Sequence, residues 1–259
     1  MLNKIIEDKK EEVEILKSSQ QHSLVDVLDM KIEKRQFYNS LKNKIESGKN
    51  AIIAELKKHS PSKGVLNKNL DIAEFAKLYE ESGAACISVL TDQIYFNGKI
   101  DDLITAKNNV KVPILRKDFI IDESQIIQSK LIGADCILLI VACLSKTQLH
   151  DLLTISKKLN MEVLLEVHDR NELDIALESG CKIIGINNRD LKTFNVSINT
   201  SLELCKAIKD NDVIVVSESG IKDIETIEKL NSKNIKSFLV GESLIMSSKP
   251  KLLLETLVG

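Results

Sequence analysis

The sequence predicts an α/β fold, a single-domain (β/α)8 TIM barrel with a helical N-terminal extension. Three observations predict it. Eight short apolar runs, at 51–57, 86–91, 113–118, 136–141, 162–167, 183–188, 213–217 and 237–241, alternate with stretches whose apolar residues recur at helical spacing, and alternating strand and helix units with short joints build a parallel sheet. The helix-to-strand joints resemble one another: Ser82-Gly83-Ala84-Ala85-Cys86-Ile87, Ile132-Gly133-Ala134-Asp135-Cys136-Ile137 and Ser179-Gly180-Cys181-Lys182-Ile183 each place a glycine where a helix can end in the left-handed conformation. Charged and amide side chains collect at the C-terminal ends of the runs, where a closed barrel gathers its chemistry. A doubly wound open sheet is the competing architecture, but the G-x-G-x-x-G turn expected after its first strand is missing.

The first fifty residues read as helices in pieces, over 2–17, 23–33 and 35–47, rich in Lys and Glu. Residues 1–48 are therefore expected to pack as an extension on a barrel spanning 49–259. The run at 51–54 is continuously apolar, as in a strand buried on both faces, and it continues into Glu55, Leu56 and Lys57. Side chains two apart on a strand share a face, so a carboxylate and an ammonium should project together, either as an ion pair closing the strand or as working groups. Ser60-Pro61-Ser62-Lys63-Gly64 supplies turn chemistry. Between later strands, Ile72, Phe75, Ala76 and Tyr79, and then Leu149, Leu152, Leu153 and Ser156, each trace one stripe along a helix.

Composition excludes several classes. With 36 Lys and Arg against 38 Asp and Glu, and no dominant basic run, neither nucleic acid nor an anionic membrane is an expected partner. The start carries acids and bases where a signal peptide would need an apolar centre, and no stretch is long and apolar enough to span a bilayer. The five cysteines show no C-x-x-C pairing, and three stand at strand starts among apolar residues, as reduced core thiols of a cytoplasmic protein. His22, His59, His150 and His168 show no metal spacing. His59 and His168 are expected to be plain loop histidines.

The strand ends carry a coherent set. After the first come Glu55, Lys57 and Ser60; the second runs into Tyr95-Phe96-Asn97-Gly98; the third ends Arg116-Lys117-Asp118-Phe119; the fifth ends Glu166-Val167-His168; the sixth ends Asn187-Asn188-Arg189-Asp190. Strand parity aligns Lys117 with Leu115 and Phe119 and so toward the barrel axis, although a solvated loop charge is the ordinary fate of a lysine. Glu166 follows an apolar run, so it either pairs with a lysine across the mouth or works as an acid or base. Asn187 and Arg189 share a face, unless Asn-Asn-Arg-Asp is simply a turn. Ser217-Glu218-Ser219-Gly220-Ile221 and Gly241-Glu242-Ser243 end the last two strands. Each puts small residues where backbone N–H groups can approach an anion, and 242–246 could form the short helix whose N-terminus holds phosphate in many barrels. Parity forbids Glu218 and Ser219 from both facing the mouth of a regular strand. Both can do so only if Ser219 acts through its backbone or if the strand has already ended.

In this order, each at a strand end, these motifs resemble indole-3-glycerol phosphate synthase, the family that closes the indole ring in tryptophan biosynthesis, and the resemblance covers essentially the whole chain. It implies a lyase converting 1-(2-carboxyphenylamino)-1-deoxyribulose 5-phosphate into indole-3-glycerol phosphate with release of CO₂ and water, and no metal or organic cofactor. The implied roles are Lys117 stabilising and protonating the carbonyl oxygen, Lys57 and Glu166 sharing the dehydration, Glu55 orienting Lys57, Asn187 bonding hydroxyls or the oxyanion, and Glu218 completing the catalytic group. Ser60, Ser219, Gly220, Gly241, Glu242 and Arg189 would bind substrate and its phosphate, with Phe96 and Phe119 flanking the aryl ring. The only partner implied is the small phosphorylated substrate, and the chain is expected to be a monomer or weak homodimer. Two other readings stand beside this one. They are an isomerase barrel of the phosphoribosylanthranilate type, whose Cys/Asp acid–base pair has no evident counterpart here, and a silent barrel that binds a sugar phosphate without turnover.

Overall fold

The apolar runs are strands, and they close on themselves. In the computed structural model, which describes residues 1–191 and 193–259, three helices come first: α1 (Leu2–Ser19), α2 (Leu24–Leu28) and α3 (Phe37–Glu46). β1 (Ala51–Leu56) is followed by a two-residue hairpin, β2 (His59–Ser60) and β3 (Gly64–Val65), then α4 (Ile72–Glu81) and β4 (Cys86–Leu90). Next come α5 (Gln93–Phe96), α6 (Ile100–Asn109), β5 (Ile114–Lys117), α7 (Glu123–Leu131), β6 (Cys136–Ile140) and α8 (Lys146–Lys158). The chain continues through β7 (Glu162–Val167), α9 (Arg170–Glu178), β8 (Ile183–Asn187), α10 (Asn199–Leu204), β9 (Ile214–Glu218) and α11 (Ile224–Asn231). It ends with β10 (Ser237–Val240), α12 (Glu242–Met246) and α13 (Pro250–Val258).

The barrel runs β1-β10-β9-β8-β7-β6-β5-β4. All its pairings are parallel, and β1 closes the ring by pairing Ala54 with Val240 on one side and with Ile87 on the other. This is the predicted architecture, with strand bounds within a residue or so of the predicted runs. The β2–β3 hairpin was not expected, because two-residue strands leave no periodic signal.

Strand parity divides the apolar residues between two cores. Ile53, Leu115, Leu138, Leu164, Val216 and Leu239 fill the barrel interior, while Ile52, Ala54, Ile87, Val89, Leu165 and Ile184 face the helices. Phe37 and Leu41 of α3, both wholly buried, belong to the interior core and plug the end where the strands begin. The plug is pinned by Glu162, which accepts from the backbone N–H of Phe37 (2.6 Å) and Tyr38 (3.2 Å). The helix expected over 23–33 ends at Leu28. Ser23 and Asp26 form its capping box, but the barrel takes over the hydrogen bonding of the following segment. The Arg35 N–H donates to Asp135 (2.7 Å), and its guanidinium donates to the carbonyls of Val112 and Lys107, both at 3.1 Å.

Candidate active site

At the C-terminal ends of the strands a cavity of about 1100 Å³ opens, bounded by every barrel strand end that the sequence singled out and by Met1, Leu2 and Ile5 of the N-terminal segment. Glu55 and Lys57 project together as parity requires: Lys57 Nζ donates to Glu55 Oε1 at 2.7 Å. Across the mouth, Lys117 Nζ lies 3.2 Å from Glu166 Oε2 and 3.6 Å from Glu218 Oε2. All three acids are buried. Two lysine amines and three carboxyl groups thus share one mouth.

Lys117 is held in place by the residues on either side of it. Arg116 and Asp118 point the other way, into the helix layer, where Arg116 donates to the Gln125 carbonyl (3.2 Å) and Ser129 Oγ (3.0 Å) on α7 and to Asp118 (3.1 Å). Burial alone would raise the Asp118 pKa, but Arg116 and Lys9 outweigh it and hold the carboxyl at about 2. Lys9 of α1, itself only 2 % exposed, sits 3.0 Å from both Asp92 and Asp118, so the first helix is fastened beside Lys117.

The carboxylates flanking Lys117 are not equivalent. Burial pushes both up, but Glu166 is answered by Lys117, by His168 and by Asn187, whose Nδ2 donates to Oε1 at 3.1 Å, and it stays ionised far below the usual range. Glu218 is raised to about 8 by burial and by the neighbouring Glu166 charge, which together exceed the pull of Lys117. At neutral pH the site therefore holds one carboxylate and one carboxylic acid around one ammonium, the arrangement that separates acid from base. Burial opposes the charge on Lys117, but Glu166, Glu218 and Glu55 overcome it and keep the amine protonated well above its ordinary range.

Ser219 answers the parity difficulty. β9 has ended at Glu218, and Ser219 takes a left-handed φ of 66°, which turns its hydroxyl back to donate to Asn187 Oδ1 at 2.9 Å. Gly220 follows at φ 82°, so consecutive amides curl beside α12, whose predicted bounds of 242–246 match. Ser60, Arg189, Gly241 and Glu242 line the same cavity. Arg189 donates to the Phe194 carbonyl (3.4 Å), and Ser60 Oγ is buried with no hydrogen-bond partner among the described residues. Phe96 and Phe119 touch each other with ring centroids 6.2 Å apart, tilted by 37°, and so form one wall.

The model of the family described as indole-3-glycerol phosphate synthase matches residues 2–257. The chain belongs to the indole-3-glycerol phosphate synthase family. Proteins of that name from Polaromonas naphthalenivorans and Bordetella pertussis are each 44 % identical over 260 residues, covering all of this chain and 98 % and 99 % of theirs. One from Chlorobium chlorochromatii is 44 % identical over 256 residues, covering 98 % of this chain and 99 % of its own. Among solved structures, a 3-hexulose-6-phosphate synthase superposes with a TM-score of 0.64 over 80 % of this chain and 97 % of that one. At 13 % identity it speaks to the barrel fold alone.

Within this indole-3-glycerol phosphate synthase barrel, two residues differ from the sequence expectation or escaped it. His168 is not a plain loop histidine. It is buried between two acids: Nε2 lies 3.1 Å from Glu166 Oε1 in a charge contact, and Nδ1 donates to Glu172 at 3.0 Å. Burial disfavours its charge, but those acids prevail and raise its pKa to about 10. The two-residue spacing from Glu166 along β7, which puts both on one face, was the available signal. Gly185 was passed over inside an apolar run. A Cβ there would stand 2.0 Å from Glu218 Oε1, so glycine makes room for the acid. Its signal was a glycine inside a strand, which marks close approach by another group. At Gly241, expected to let backbone N–H groups approach an anion, a Cβ would in addition meet Glu55 Oε1 at 2.6 Å. Its glycine accommodates Glu55. His59 sits in the hairpin with Nδ1 2.8 Å from the Tyr95 carbonyl.

Proposed function

We propose that this cavity closes the indole ring. It would take 1-(2-carboxyphenylamino)-1-deoxyribulose 5-phosphate to indole-3-glycerol phosphate with loss of CO₂ and water, a step of tryptophan biosynthesis. The observation that carries the reading is the convergence of Lys57 and Lys117, from β1 and β5, on one mouth with Glu55, Glu166 and Glu218.

As the ring carbon bearing the carboxylate attacks the ribulose carbonyl, negative charge develops on that oxygen. Lys117 stabilises it and donates a proton. Decarboxylation restores the aromatic ring. Dehydration then needs an acid at the departing hydroxyl and a base at the adjacent methylene, roles we assign to Lys57 and Glu166. Glu166 is a weak base while Lys117 is charged. Once Lys117 has given up its proton, the cation that holds the Glu166 pKa down is gone, and its basicity rises when the base is required. Glu55 orients Lys57, Asn187 orders hydroxyls, and Glu218, protonated at neutral pH, offers a hydrogen bond beside them.

The amides of Ser219, Gly220, Gly241 and Glu242, with the unpartnered Ser60 hydroxyl and Arg189, would hold the phosphate and so fix one end of a flexible substrate. The Phe96–Phe119 wall suits the aryl end. On this reading residues 1–48 serve as roof and floor of a barrel formed by 49–259, and the five free thiols suit a reducing cytoplasm. The direct test incubates the protein with the carboxyphenylamino-deoxyribulose phosphate and follows indole fluorescence, which is easily seen because the chain has no Trp. Tight binding without an indole signal would replace this proposal with a silent sugar-phosphate barrel.

A further inference from the structure

At the opposite end of the barrel, away from the strand ends that carry the chemistry, a second cleft of about 290 Å³ lies between the segment after α2, the last turn of α7 and the turn that follows α8. Four lysines line it, Lys31, Lys34, Lys130 and Lys158, beside the apolar Met30 and Ile32. Lys130 is only 8 % exposed and makes no hydrogen bond or ion pair among the described residues.

The nearby acids are already engaged. Both oxygens of Asp135 accept from Lys107 at 2.7 Å, and they also accept from the N–H groups of Arg35 and Ile114. Glu162 is held by the N–H groups of Phe37 and Tyr38 and comes no nearer than 4.0 Å to Lys34. Nor do helix ends explain the lysines. The closing carbonyls of α7 accept from Ile132, Gly133 and Ala134, and those of α8 from Leu159, Asn160 and Met161. Burial and the Lys34 charge, and after them Lys107, depress the Lys130 pKa against the pull of Asp135, so the positive charges gathered at this cleft outweigh the one acid that answers them.

We propose that this cleft is a second anion site, taking a phosphate group between Lys34, Lys130 and Lys158, with Met30 and Ile32 flanking whatever small organic body the phosphate bears. Lysines bind phosphate as point charges without a fixed fork geometry, and four ammonium groups on one small concavity are neutralised better by a dianion than by a single carboxylate. Because the walls come from the extension, α7 and α8, an occupied cleft ties the extension to the barrel at a place remote from catalysis.

The test follows backbone amide resonances while inorganic phosphate is added at constant ionic strength. Saturable shifts are expected at 30–34 and 158–160, with half-saturation below about 10 mM, separate from any shifts at Gly220 and Gly241 in the active site. Lys130→Met should weaken the cleft's response at least about tenfold while the active-site shifts remain, which also reports that the variant is folded. Should that variant not fold, the double change of the exposed Lys34→Gln and Lys158→Gln serves, with a weakening of at least about threefold. The proposal is overturned if chloride at equal ionic strength reproduces the shifts, if the cleft does not saturate, or if the folded variants respond as the parent does. Activity with the cleft variants in phosphate-free buffer should be unchanged, since none of these lysines reaches the catalytic mouth.

Discussion

Replacing Lys117 by Met removes the one ammonium that, among the described residues, lies within 4 Å of both Glu166 and Glu218. A positioned general acid is worth about a hundred- to ten-thousandfold, so kcat should fall at least about a hundredfold, roughly 2.7 kcal/mol of barrier at 1.36 kcal/mol per factor of ten. Stability should fall too. Removing one partner of a buried ion pair costs about 3–5 kcal/mol, and the low end applies here because Glu218 is already protonated and Glu166 keeps its contacts with His168 and Asn187. A loss of about 3 kcal/mol corresponds to a Tm lower by about 6–12 °C for a chain of this size. Indole fluorescence measures the rate, and thermal unfolding measures the fold on the same sample. A folded variant whose kcat lies within tenfold of the parent would take Lys117 out of the acid role and with it the assignment of ring closure to this mouth.

Three further outcomes are expected. Gly185→Ala places a methyl where Glu218 Oε1 now lies, 2.0 Å from the new Cβ; kcat should drop more than about tenfold with the circular dichroism spectrum retained, and an unaltered kcat would mean that the Glu218 position is immaterial. Glu218 holds a proton up to about pH 8 in the folded chain, against 4.5 for a free side chain. Between those values the folded state binds more protons than the unfolded one, so stability should fall as pH rises through the window and level off above it. Glu218→Gln should flatten that slope in denaturant titrations, and an identical slope in both proteins would place the proton elsewhere. Gly241→Ala would push against Glu55 at 2.6 Å and through it move Lys57, so kcat should suffer along with KM. A change in KM alone would return Gly241 to a role in phosphate binding only.

Much of this was legible because a barrel repeats one rule eight times. Continuous apolar runs located every barrel strand, and two-residue parity placed Lys57 beside Glu55 and turned Lys117 inward while Arg116 and Asp118 faced the helices. What stayed hidden depends on contacts between distant segments. The helical periodicity of 23–33 gave no warning that Arg35 would find Asp135, one hundred residues on, a better partner than its own helix. The inequality of Glu166 and Glu218 could not be read from either segment, since each owes its protonation state to the other and to Lys117. Gly185 and Gly241 are explained by carboxylates on neighbouring strands, whereas His168 is explained by Glu166 and Glu172, both within four residues of it.

The N-terminal segment touches both ends of the barrel: Met1, Leu2 and Ile5 reach the mouth, while Phe37 and Leu41 stop the base. A ribosome therefore delivers the roof and the stopper before any strand exists to receive them, and β1 emerges with neither of its neighbours made. Ala51 finds its partner Ser237 only once synthesis has passed that residue. Elements made before the barrel are thus secured only when its last strand arrives, and a nascent chain halted before residue 237 would leave a β1 edge and the aromatic stopper exposed to chaperones.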